Sequence, residues 1–360
     1  MQLEVNERVE QLLADEWQRL AKVRQAYSTR RVPRHAMRCL RTDLAPKSGD
    51  LVLARITRLG QHGGLHLPNG RRSELWVGDE VIVAYADRYA PSQFEARVPS
   101  DLSACQLVAG GGIAGSVVSA HEKLARRATN ILPVGLLASD PTGPVLNVAD
   151  FALPPLPQRR REVTVIAAVG SAMDSGKTTA LANLAHGLAG LGLRVGYAKV
   201  TGTAAGGDPS LLRDAGAELV LDFTDMGFAS TYRVAVEALE EVAEQLVRHL
   251  EELGAEVTLL EVADGLFQPE TLELLASPRF QSLVDGVLYA AVDSLGAAHG
   301  AALLMAQGYR LLGFTGMIAA APLLAREAQR AVDLPIYGRS ELADASLAAK
   351  LLDAARGAQR

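Results

Sequence analysis

The chain has 360 residues and only two cysteines, Cys39 and Cys105, far apart and without metal-ligand spacing. That argues against a disulfide framework and for buried or idle thiols in a reducing compartment. No excess of positive charge is present: Lys and Arg number 36 against 41 acids, a net charge of −5. General nucleic-acid binding, which needs a basic surface to neutralise phosphates, is therefore not expected. No apolar run approaches the roughly 20 residues that span a bilayer. The opening stretch, MQLEVNERVEQLL, carries acids where a signal peptide would be uninterruptedly apolar. These absences predict a cytoplasmic protein with no membrane partner, and neither repeats nor low-complexity tracts interrupt it.

What is present divides at "DFALPPLPQRRRE", residues 150–162, whose three prolines and Arg159–Arg161 read as a stiff, charged linker. Two domains are expected, residues 1–155 and 156–360. In the first, Val5, Val9, Leu12, Leu13, Leu20 and Val23 recur at helical spacing, which predicts an amphipathic helix over 4–26. The segment Lys22–Arg41 holds seven Lys/Arg and no acids, a solvated face or a docking surface for an anion. From 49 to 98, "DLVLARI", "GLHL", "SELWV" and "EVIVAYA" are short β-rich runs between turns, as in a small antiparallel sheet or barrel. The Gly-rich "VAGGGIAGS" reads as a turn leading into a helix over 116–127.

The second domain alternates regularly. Apolar strand runs at 163–169, 194–199, 256–261, 286–291 and 311–317, with "ELVLD" ending at Asp222, alternate with helices at 178–191 and 232–253. This predicts an α/β fold, a mostly parallel sheet covered on both faces, preceded by a smaller β-rich α+β domain. Ligands of such sheets bind at the carboxyl ends of the strands. There lies "GSAMDSGKTTA", residues 170–180, in the order strand, glycine loop, helix that a phosphate-binding loop requires. Backbone N–H groups of Gly170, Ser171, Ser175, Gly176, Lys177, Thr178 and Thr179 would cradle phosphates, Lys177 would reach the β/γ-phosphates and Thr178 would hold Mg²⁺. The first glycine stands one residue early for G-x-x-x-x-G-K-[ST].

"GSAMDSGKT", "GYAKVTGTAAGGD", "EVADGLFQP" and "VDSLGAAHGAALLMAQGYRLLGF", in that order, resemble dethiobiotin synthetase and its wider class of P-loop NTPases over residues 162–340. That family's G-T-D-T-x-V-G-K-T loop has the same early glycine. The first 155 residues have no counterpart there. The resemblance implies an Mg²⁺-dependent, ATP-using homodimer that phosphorylates a small-molecule amine, carbamate or carboxylate. Lys177, Lys199 and Asp174 would be catalytic. Thr178, Asp208 and Glu261 would hold the metal, with Asp222 and Asp264 as reserves. Ala172, Met173, Thr203 and His299 would face the substrate. Ala172 and Met173 replace the family's aspartate and threonine, and Met317 stands where an asparagine reads adenine, so GTP stays open beside ATP. Pro335–Ser340 match the loop that closes over the base. The alternative is a nucleotide-dependent switch or delivery NTPase that uses its N-terminal domain to grip a partner.

Overall fold

The computed structural model describes residues 18–124, 126–159 and 161–357. Two compact units form. One comprises the chain up to Leu153 together with 203–207 and 224–230, and the other comprises the remainder.

The first unit is built from β1 (Arg24–Gln25), β2 (Cys39–Arg41), β3 (Leu51–Arg58), β4 (Gly64–His66), β5 (Arg72–Glu74), β6 (Glu80–Tyr85), β7 (Phe94–Arg97), β8 (Cys105–Ala109), β9 (Ile113–Ala120) and β10 (Thr129–Ala138). Strands β6, β3, β10, β8 and β9 pair in that order, and β9 pairs in parallel with β6, closing a five-stranded ring. Closure removes the exposed edges that an open sheet would carry. Alternation along the strands separates two apolar sets. Val52, Ala54, Val81, Val83, Leu107 and Ile131 form one cluster. Leu51, Leu53, Ile82, Ala84 and Leu137 form the other, with Tyr27, Val32 and Met37.

Three sequence expectations change here. Residues 113–120 are strand β9, not the start of a helix over 116–127. "IAGSVVSA" is β-branched and pairs with β8 on one side and β7 on the other, so tertiary pairing decides. The triple glycine is the hairpin turn, with Gly112 at φ +94°. The helix expected over 4–26 falls mainly outside the described residues. Residues 18–22 are helical, but Arg24 and Gln25 already pair with β6. The basic segment is mostly used internally. Arg24 meets Asp79 at 2.8 Å, Arg30 meets Asp225 at 2.6 Å, and Arg34 donates to the Val23 carbonyl at 2.7 Å. Both cysteines are free and buried, and burial pushes the Cys105 thiol up to about 12.

His62 packs on Phe94 with ring centroids 5.9 Å apart. Burial, reinforced by the Arg88 charge, lowers its pKa from 6.5 to about 4. The unfolded chain therefore takes up a proton below pH 6.5 that the folded unit rejects until about pH 4. Stability is present above that window and is lost as pH falls through it. Urea denaturation should show a loss of up to about 3 kcal/mol between pH ~7 and pH ~4. His62→Phe should flatten this pH dependence.

The second unit has β11 (Thr164–Gly170), β12 (Val195–Lys199), β13 (Leu219–Asp222), β14 (Val257–Glu261), β15 (Gly286–Ala290) and β16 (Leu311–Thr315) in the order β13-β12-β14-β11-β15-β16. Every neighbouring pair is parallel. Its helices are α1 (Lys177–Ala189), α2 (Gly207–Asp214), α3 (Val236–Glu252), α4 (Pro269–Ala276), α5 (Pro278–Leu283), α6 (Ser294–Ala306), α7 (Pro322–Ala331), α8 (Arg339–Leu342) and α9 (Ala345–Arg356). Leu181, Leu184 and Leu188 of α1 and Leu351 of α9 pack on Ile166, Ala168 and Leu259. Val165, Ala167 and Leu260 point to the opposite face and are also fully buried, as a sheet covered on both faces requires. Full burial of each such leucine contributes roughly 1.5–3 kcal/mol. No helix among the described residues is long and apolar enough to cross a membrane.

Candidate functional site

Parallel register brings the charged residues of the sheet to one level. Lys199 lies opposite Asp222 on one side and Glu261 on the other, each at or near the carboxyl end of its strand. Apolar runs such as "VTLL" fill the core and end in a carboxylate at the edge. Glu261 is 2% exposed. Its Oε1 accepts from Thr178 Oγ1 at 3.0 Å and its Oε2 from the Tyr197 hydroxyl at 2.8 Å. Lys199 Nζ lies 3.1 Å from Glu261 Oε1 and also donates to Asp208 Oδ2, in the first turn of α2. Burial opposes the Lys199 charge, but Glu261 and Asp208 overcome it and raise the pKa.

Beside this cluster, β11 runs into the glycine loop and α1. Gly176 adopts φ +102° before the first helical residue, and Asp174 is held at φ +61°. The early glycine has a packing reason. A Cβ on Gly170 would meet Ser175 Oγ at 2.3 Å and Lys177 Nζ at 2.9 Å. Lys177 is buried, and its ammonium donates to the carbonyls of Ala172 at 2.9 Å and Asp264 at 2.7 Å. Burial lowers its pKa, with Glu261, Asp264 and Asp174 acting in the opposite direction. Strand, left-handed glycine loop, buried lysine and hydroxyl at a helix start meet at the carboxyl edge of a parallel sheet. The fold is that of a P-loop NTPase.

The P-loop is braced from two sides that the sequence did not reveal. Met317 N–H donates to the Ser175 carbonyl at 3.0 Å, and a Cβ on Gly316 would meet that oxygen at 2.2 Å. A Cβ on Gly265 would lie 2.6 Å from the Ser171 carbonyl. Ser171 Oγ accepts from Val292 N–H at 3.1 Å. A pocket of about 600 Å³ opens on the first half of the loop, lined by Ser171, Ala172, Phe267, Val292, Leu295 and His299 among others. His299 stacks on Phe267 with centroids 5.9 Å apart and planes at 20°.

The expected residues thus fall into groups. Thr178, Lys199, Asp208 and Glu261 converge, while Ala172 and His299 share the pocket. Asp174 is exposed at the loop apex, and Met173 is not part of the pocket lining. Thr203 belongs to the other unit, in an isolated bridge with Ser230. Thr179 sits in the first turn of α1, its carbonyl accepting from Asn183 at 2.8 Å. Asp222 is buried at its strand end, and Asp264, at φ +64°, presents its carbonyl to Lys177. Tyr197, Phe267 and Asp225 escaped sequence reasoning because their roles depend on partners distant in the chain.

A hydroxyl and two carboxylates are hard oxygen donors of the kind Mg²⁺ takes. Among the described residues there is no group of three or more His, Cys, Asp or Glu placed to hold a metal ion.

No family model and no curated protein matches the chain. Among solved structures it is similar to the signal recognition particle receptor FtsY from Elizabethkingia anophelis, with 16% identity over 54% of this chain and 66% of that one, TM-score 0.34. It is also similar to the Signal Recognition Particle 54 kDa protein from Aeropyrum pernix K1 in complex with GDP, with 18% identity over 56% and 51%, TM-score 0.36. FtsY from Thermotoga maritima gives 17% over 54% and 69%, TM-score 0.35. The chain spans about half to two thirds of the length of these structures. Likeness at this level is loose and assigns no activity. The resemblance to dethiobiotin synthetase holds only at the coarser level of the P-loop fold.

Proposed function

We propose that the protein is a nucleotide-dependent switch, a slow Mg²⁺-requiring P-loop NTPase whose nucleotide state is read by the N-terminal unit. One observation carries this reading. The segments 203–207 and 224–230, which follow the strands ending at Lys199 and Asp222, are built into that unit. Within it, Ala204 N–H donates to the Ala229 carbonyl at 3.0 Å, and Gly206 N–H donates to His66 Nδ1 at 3.1 Å. Asp225, with a side chain 7% exposed, is held by Arg30 and by Arg31, the latter at 3.3 Å. Loops that follow strand ends beside phosphates are the segments that nucleotide orders or releases.

In this reading the N–H groups at the start of α1 and the Lys177 ammonium bind the phosphates. Thr178, Asp208 and Glu261 would hold Mg²⁺, which when bound neutralises charge on the β- and γ-oxygens. Met317, at the position that reads adenine in the resembled family, places GTP beside ATP as a candidate.

A second reading, phosphoryl transfer to a small amine, carbamate or carboxylate, is favoured by the pocket between Ala172 and the Phe267–His299 stack. Hydrogen exchange with and without a Mg²⁺-bound, non-hydrolysable nucleotide separates the two. The switch predicts altered exchange at 27–31, 203–207 and 224–230, with hydrolysis unmoved by metabolites. Protection confined to the P-loop unit, with turnover stimulated by one metabolite, would favour transfer. Light scattering tests the homodimer implied by the resemblance.

A further inference from the structure

Two carboxylate oxygens from two different elements close on one ammonium. Lys199 Nζ pairs with Asp208 Oδ2 and lies 3.1 Å from Glu261 Oε1. That same Oε1 accepts the Thr178 hydroxyl at 3.0 Å. These are the oxygens read above as the metal set, and the inference rests on that reading. We propose that Lys199 is the resident occupant of the cation position in the nucleotide-free protein, and that a divalent ion arriving with nucleotide displaces its ammonium.

Two physical points support the exchange. The carboxylates of Asp208 and Glu261 converge on one position, where their mutual repulsion has to be offset by a cation. An ammonium and a dication cannot both occupy it, since like charges so close in a poorly hydrated site repel strongly. The lysine stem packs over Gly202, at φ +131°, where an added Cβ would lie 3.3 Å from Lys199 Cε, 3.3 Å from Ala263 Cβ and 3.6 Å from Phe223 Cε1. Displaced from the carboxylates, the ammonium remains at the strand end beside the P-loop. The exchange makes metal binding depend on nucleotide, because bare metal must compete with a tethered cation.

The test uses the full chain without nucleotide and Mn²⁺ as the probe, followed by loss of the free-ion electron paramagnetic resonance signal and by calorimetry. Wild type should bind Mn²⁺ weakly. Lys199→Met should bind it at least tenfold more tightly, because two carboxylates and a hydroxyl are left without their cation. Lys199→Gln provides the same test should the methionine variant fail to fold, and Lys199→Arg, which keeps a cation there, should stay weak. Unchanged or weaker Mn²⁺ binding by a folded neutral variant overturns the proposal, as does equal tightening by Lys199→Arg. Because no nucleotide or partner is present, this outcome is independent of whether the protein is a switch.

Discussion

Lys177→Ala should lower kcat/KM for nucleotide turnover by roughly a hundred- to a thousandfold, the scale lost when one preorganised donor is removed from a transition state. Lys177 is 6% exposed and its ammonium touches only neutral acceptors, the carbonyls of Ala172 and Asp264 and, at 3.5 Å, the Ser175 hydroxyl. Among the described residues it makes no ion pair, and burial already disfavours its charge. A phosphate replacing those carbonyls would give this buried cation a directly contacting anion, beyond the more distant carboxylates of Glu261, Asp264 and Asp174. For the same reason alanine should leave the thermal midpoint within a few degrees of wild type, since it removes a desolvated charge rather than a salt bridge. Calorimetric titration with ATP and with GTP, together with steady-state hydrolysis, reads both effects. Turnover within tenfold of wild type in a folded variant would mean that the loop does not serve phosphates.

The P-loop unit was legible in the sequence because its signals are local. A buried parallel strand is a continuous apolar run, so Val163–Val169 and "VTLLE" announce both the strand and the residue at its end. The P-loop likewise sits between adjacent elements. The N-terminal unit was less legible because a ring of short strands is specified by pairing. "IAGSVVSA" carries glycine and serine that dilute its strand signal, and only β7 and β8 on either side decide it. The clustering of 203–207 and 224–230 with residues near the N-terminus had no signature at all. Arg30 and Asp225 lie 195 positions apart, and neither residue type nor spacing predicts their meeting. The same holds for Tyr197, which reads as an ordinary strand aromatic until its hydroxyl is seen to reach Glu261.

Glu261 joins fold and site, so its removal should have the second large effect, visible in stability as well as activity. Its carboxylate accepts from Thr178 and Tyr197 and pairs with Lys199 while 2% exposed. Glu261→Ala leaves the Tyr197 hydroxyl without its acceptor and strips the Lys199 ammonium of one of its two carboxylates. Removing one partner of a buried ion pair costs about 3–5 kcal/mol. In a unit of this size that corresponds to a drop in Tm of roughly 6–20 °C. Glu261→Gln keeps the shape and an oxygen acceptor, so it should lose less stability while still losing the negative charge of the proposed metal ligand. The pair separates the two roles of the residue. Thermal denaturation should rank wild type, Gln and Ala in descending order, whereas the Mg²⁺ needed for half-maximal turnover should rise at least tenfold in the glutamine variant. A glutamine variant with wild-type Mg²⁺ dependence would remove Glu261 from the metal set and leave it a structural anchor for Tyr197 and Lys199.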